Sequence, residues 1–288
     1  MSALFGPAGN ADRFPYKSSA DAPKWLAELG LDCYEYQCGK GVRVSEALAL
    51  KLRREAEAHH ITLSLHAPYF INLANPDPDS LQKTIGYITA ACRAARQMGA
   101  DRVVIHSGAL MKRARREALD TALASLQEVV RVCDGEGFGD ITLCPETMGK
   151  LGQLGDLDEV LELCGVDERL LPCVDFGHLY ARSLGADDGA EAFAKMLDKI
   201  QAALGEERAS RFHSHFSKIE FTPGGGEKCH RTFADCGGFG PEPEPLMEEV
   251  ARRGWSPRFI CESAGTQAED AAEMKRMYER ARALNSTV

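Results

Sequence analysis

No apolar run in this 288-residue chain approaches the roughly 20 residues that a membrane span requires. The opening MSALFGPAGNADRF has no basic stretch followed by an apolar one, so a secretory leader is not expected. A C-x-x-C pair is missing as well. The ten cysteines are dispersed, and Cys144, Cys173 and Cys261 sit inside apolar runs, the pattern of reduced, buried thiols in a cytoplasmic protein. Positive charge is in short supply: 34 Lys and Arg against 43 Asp and Glu leave a net charge of -9. That balance argues against broad, sequence-independent attraction to nucleic acid. The local basic stretch KRARR at 112–116 reads as the solvated start of a helix. There is no internal repeat, no low-complexity segment, and no glycine-rich phosphate loop after the first apolar run.

Two hydrophobic periods alternate from end to end. Short apolar runs, often β-branched or aromatic, fall at 2–5, 32–36, 61–66, 102–106, 140–146, 171–176, 211–216 and 258–263. Amphipathic stretches separate them. In 45–59, Leu48, Leu52 and Ala56 recur at helical spacing behind a capping Ser45, and 118–134 and 269–284 read the same way. Pro23 stands where a first-turn proline opens a helix. Eight strands alternating with eight helices predict a single (β/α)8 TIM barrel over residues 1–288, with a doubly wound sheet as the lesser alternative. The Gly- and Pro-rich stretch 217–245 reads as one long irregular connection, and such loops in compact domains are usually functional or disordered.

Barrel enzymes build their sites at the C-terminal ends of strands. Here those ends carry His66, His106, Glu146, Asp175 with His178, His213 with His215, and Glu262, while His230 lies in the long connection. Six of the eight histidines fall at these places; the other two, His59 and His60, end a helix, where the dipole accounts for them. Closure of the barrel brings the carboxylates around one mouth, where they repel unless cations sit between them. Imidazoles interspersed with carboxylates suit Zn²⁺, with Mn²⁺ and Fe²⁺ as competitors. A bridging carboxylate holds two such ions about 3.5–4 Å apart, the spacing that clamps a phosphoryl group.

The ordered motifs LSLHAPYFINL, VVIHSG, CPET, VDFGH, FHSHFSK and CES resemble those of the endonuclease IV family, the abasic-site endonuclease branch of the xylose isomerase-like barrels. The likeness runs from FGPAGN to the last strand. It implies a zinc centre of two or three ions. His66, His106 and Glu146 would hold the first, Glu146 would bridge to a second completed by Asp175, His213 and Glu262, and His178 with His230 would hold the third. Tyr69 and Lys218 match substrate-side residues. The family's third-site Asp is replaced by Lys228, which leaves Glu227 or His215 to stand in for it, and the arginine that the family pushes into the DNA stack has no counterpart in QCGKGVR. The resemblance implies hydrolysis of DNA 5′ to abasic sites, with Glu146 orienting the nucleophile. The same barrel also supports a sugar isomerase or epimerase, in which Glu146 and Glu262 shuttle protons, and a non-catalytic metal-binding protein.

Overall fold

A computed structural model describes residues 2–285. Its strands are β1 (Leu4–Pro7), β2 (Cys33–Gln37), β3 (Thr62–His66), β4 (Arg102–His106), β5 (Thr142–Glu146), β6 (Cys173–Asp175), β7 (His213–Phe216), β8 (Lys218–Thr222), β9 (Gly226–Arg231) and β10 (Arg258–Cys261). One parallel sheet runs in the order β1-β10-β7-β6-β5-β4-β3-β2. Its two edges meet where the Gly9 N–H donates to the Glu35 carbonyl at 2.9 Å, so the sheet closes into the expected barrel. Helices lie between the strands, and their starts follow local chemistry. Ser45 caps Glu46–His59, Asp77 with Pro78 opens Pro78–Met98, and Asp156 and Glu159 form a reciprocal capping box on Leu157–Cys164. No helix among the described residues is long and apolar enough to cross a membrane.

The basic stretch at 112–116 is not simply solvated. Arg115 reaches the buried capping carboxylate of Glu159 at 2.7 Å and the Leu151 carbonyl at 2.9 Å, while Arg113 donates to the Ala74 carbonyl. Positive charge is thus spent on bracing the loops around the mouth. The connection after β7 is not irregular throughout either: β8 and β9 pair antiparallel across a Pro-Gly-Gly turn, with a register shift between Glu220 and Phe221.

Register layers the interior. His215 pairs with Asp175 and Ile260, and His213 pairs with Cys173 and Arg258, one layer lower. His106 pairs with Glu146, Gln37 with His66, and Glu35 with Ser64. The floor is sealed by buried Arg258, whose guanidinium donates to both oxygens of Asp101 at 2.9 Å. Against the outer face pack Phe5, Phe259 and Tyr278, with ring centroids 5.4 and 5.5 Å apart. Each such burial contributes about 1.5–3 kcal/mol.

Candidate metal centre

Glu146 ends β5 and is almost fully buried at the middle of the mouth. Its Oε2 lies 3.2 Å from His66 Nε2 and 3.2 Å from His106 Nε2. Its Oε1 lies 3.0 Å from His215 Nδ1 and 3.6 Å from His178 Nδ1. At the mouth the side chains form three ligand groups: His66, Glu146 and His215; Glu146, Asp175, His215 and Glu262; and His178, Glu227 and His230; a fourth, Cys173, His213 and His215, lies a layer deeper. His106, 3.2 Å from Glu146, adjoins the first group. A cleft of about 310 Å³ opens onto them, lined also by Gln37, Tyr69 and Lys150.

Each imidazole has one nitrogen tied to an acceptor, which leaves the other to face the centre. Nδ1 of His66, His106 and His178 points to the carbonyls of Ala67, Tyr69 and Thr147 at 2.7, 3.1 and 2.8 Å. His230 Nδ1 is 2.8 Å from the Ser217 hydroxyl. His215 is reversed, its Nε2 lying 2.9 Å from the Glu35 carboxylate. Fixing one ring nitrogen in this way is how proteins orient metal-ligating histidines.

Charge in the cluster calls for a cation. Burial pushes the Asp175 carboxyl up, and its Oδ2 has no hydrogen-bond donor among the described residues; His178 Nδ1 lies 3.3 Å away but is aligned on Thr147 instead. Burial also opposes charge on His66 and His178, yet Glu146 beside the first and Asp175 and Glu227 beside the second raise both to about 9. Glu146 is held well below the ordinary carboxylate range because His215, His106 and His66 outweigh its burial. Without a metal, protons therefore sit between these groups, and divalent ions can take their place. The residues fit such ions. Nitrogen and carboxylate donors of this kind suit zinc, manganese or iron.

Most of the residues expected at the mouth converge there, and two, His213 and Lys218, do not. His213 does not join Asp175 and Glu262; His215 does. Successive inward-facing positions on a strand differ by roughly 6.6 Å along it, so His213 lies a layer deeper beside Cys173. Burial lowers His213 to about 3, and its Nδ1 has no partner among the described residues. At the position vacated by the family's Asp, Lys228 turns outward to pair with Glu220, and Glu227 comes within 3.5 Å of His178 Nε2 instead. Glu227 therefore stands in the third group, not His215. Tyr69 is exposed at the rim. Lys218 is buried, pairs with Glu242 at 2.7 Å and does not line the cleft. His59 and His60 lie away from the mouth at a helix end, where His60 takes the left-handed conformation of a C-cap. Glu35, fully buried on β2, was not singled out from the sequence. The signal for it was a carboxylate at an inward position of the otherwise apolar and aromatic run CYEYQ.

The model of the xylose isomerase-like TIM barrel family matches residues 23–285, and the chain belongs to that family. It is 34% identical over 200 residues to an uncharacterized protein of Methanocaldococcus jannaschii, an alignment covering 69% of this chain and 71% of the relative. It is 26% identical over 249 residues to a probable endonuclease 4 of Thermotoga maritima, covering 82% and 81%. The crystal structure of a D-tagatose 3-epimerase-like protein superposes with a TM-score of 0.74 at 20% identity over 98% of this chain and 99% of that one, a likeness of fold.

Proposed function

We propose that this chain is a metal-dependent phosphodiesterase that cuts DNA on the 5′ side of abasic sites. The observation that carries the reading is the junction at Glu146, where ligand groups for more than one ion share or adjoin a single carboxylate. Divalent ions bound there supply Lewis acidity and charge neutralisation to a phosphodiester. The chain's own residues do the rest. Glu146 spans the groups and keeps its negative charge between them, and Glu262, partly exposed on the cleft side, is placed to take up a proton from water. Tyr69 offers an exposed ring at the rim, next to the His106 it anchors through its carbonyl. Lys150 lines the same cleft and brings a cation to an incoming phosphate.

One observation favours a second reading. Glu146, Asp175, His215 and Glu262 by themselves form a one-ion set with three carboxylates, of which Glu146 and Glu262 are at hand for the proton transfer of a sugar epimerase. That chemistry leaves His66, His106, His178 and His230 without a task, so the phosphodiesterase is preferred. The test is to incubate zinc-loaded protein with a duplex carrying one abasic site and, in parallel, with a panel of ketoses. Cleavage of the duplex supports the proposal; epimerisation of a ketose with an intact duplex overturns it.

A further inference from the structure

Beneath the ligands lies a fully buried carboxylate that does not itself line the cleft. Glu35 on β2 is fully buried, and each of its oxygens faces two donors. Oε1 is 2.9 Å from His215 Nε2 and 3.1 Å from Gln37 Nε2; Oε2 is 2.9 Å from His213 Nε2 and 2.9 Å from the Ser64 hydroxyl. Four donors match the roughly four lone-pair sites of an ionised carboxylate, which can only accept. Both imidazoles therefore carry their proton on Nε2. For His215 this leaves Nδ1 to face Glu146 at 3.0 Å and Glu262 at 3.6 Å.

We propose that Glu35 is a positioning residue of the metal centre, setting Nδ1 of His215 as its ligand atom. The inference rests on the metal-binding part of the proposed function and not on the identity of the substrate. His66, His106 and His178 are anchored the opposite way, through Nδ1 and to neutral carbonyls. His215 alone among these four is anchored to a charged acceptor. A carboxylate on the far nitrogen makes an imidazole a more basic ligand and fixes its ring plane. Ser64 and His213 in turn fix the carboxylate, so the orientation is built from β2, β3 and β7 together.

The experiment is histidine nitrogen NMR of the zinc-loaded protein, joined to zinc affinity by chelator competition. In wild type the expected result is a protonated Nε2 and a coordinated Nδ1 on His215; coordination through Nε2 overturns the proposal without any variant. Glu35→Gln keeps the volume but replaces one oxygen by a donor, and zinc affinity should fall by about 10- to 100-fold with the fold retained. A Glu35→Gln protein that loses stability but binds zinc as wild type does would show a merely structural carboxylate and overturn the proposal alone. Uptake of no zinc by wild type would overturn the metal reading itself, and failure to cut DNA with zinc bound would touch only the substrate.

Discussion

The two sides of the candidate metal centre are held in different ways. His66, His106, Glu146, Asp175 and His215 stand on barrel strands whose hydrogen-bonded neighbours fix them on both sides, and their side chains are buried or nearly so. Glu227 and His230 stand on the β8–β9 hairpin and remain partly exposed. The hairpin packs on the Phe176–Arg182 helix through buried Ile219 and through Phe221 against Tyr180, and its backbone joins the loops at the mouth by the Glu227 N–H to the Gly149 carbonyl at 3.2 Å and the Leu151 N–H to the Gly225 carbonyl at 3.4 Å. The barrel preorganises its ligands at no further cost on binding, whereas the hairpin ligands keep freedom that an ion must remove. An ion among His178, Glu227 and His230 should accordingly be the most weakly held, which stepwise removal of metal would show.

The largest expected effect comes from breaking the point where the two sides meet. Glu146→Gln keeps the volume but removes the negative charge between the groups. Turnover on the true substrate should fall by at least about 10²-fold, the scale of a lost electrostatic catalytic contact. Folding should survive, because the apolar core surrounds the barrel below the ligands. His59→Gln, on a helix end with only a 3.7 Å approach to Glu55, is the matched control and should leave turnover nearly unchanged. Equal kinetics for wild type and Glu146→Gln would remove Glu146 from the mechanism.

Next in size is the hairpin alone. Stepwise competition with a mild chelator should release metal in two phases, and His230→Gln should abolish the first phase while leaving the second. Release in a single phase, unaffected by His230→Gln, would erase the distinction between the two sides. A subtler wedge sharpens it. A Cβ at Gly149 would fall 2.6 Å from Glu227 Cβ and 3.1 Å from His178 Cδ2, so Gly149→Ala must displace the hairpin ligands. The early phase should shift to lower chelator concentration with little change in melting temperature. A large drop in melting temperature with an unmoved early phase would mean that Gly149 serves packing and not the hairpin.

The smallest effect is expected at the floor, far from both sides. Burial raises the Asp101 carboxyl, but the Arg258 guanidinium outweighs it and holds the group below its ordinary value. A depressed carboxyl stabilises the fold above the unfolded pKa, and that contribution is lost as pH falls through the folded one. The Asp101 side chain is 57% exposed, so the contribution is only about 1 kcal/mol. Asp101→Asn should therefore lower the denaturant midpoint near neutral pH, flatten the loss of stability on acidification below about pH 4, and leave metal content unchanged. Metal loss in this variant would tie the floor to the mouth.

The barrel could be read from sequence because short apolar runs alternate with amphipathic ones, and several of those runs, such as RVVIH and DITLCPE, end in a residue that water or a ligand must satisfy. The mouth was legible for the same reason. What sequence could not resolve was depth. His213 and His215 both point inward, and only the pairing of His215 with Asp175 shows which one reaches the ligand layer. Nor does a lone Glu in CYEYQ disclose that two histidines, Ser64 and Gln37 converge on it from positions as distant as 215. The hairpin was hidden by its turn: Pro223 and three glycines mask the alternation of KIEFT and EKCHR on either side.

Anomalous diffraction from crystals grown with excess zinc tests the central claim most directly, since it counts the ions and places each against its ligands. The account predicts at least two strong peaks beside Glu146 and a weaker one among His178, Glu227 and His230. A single peak held by Glu146, Asp175, His215 and Glu262, with the other histidines bare, would contradict it and turn the assignment toward the epimerase.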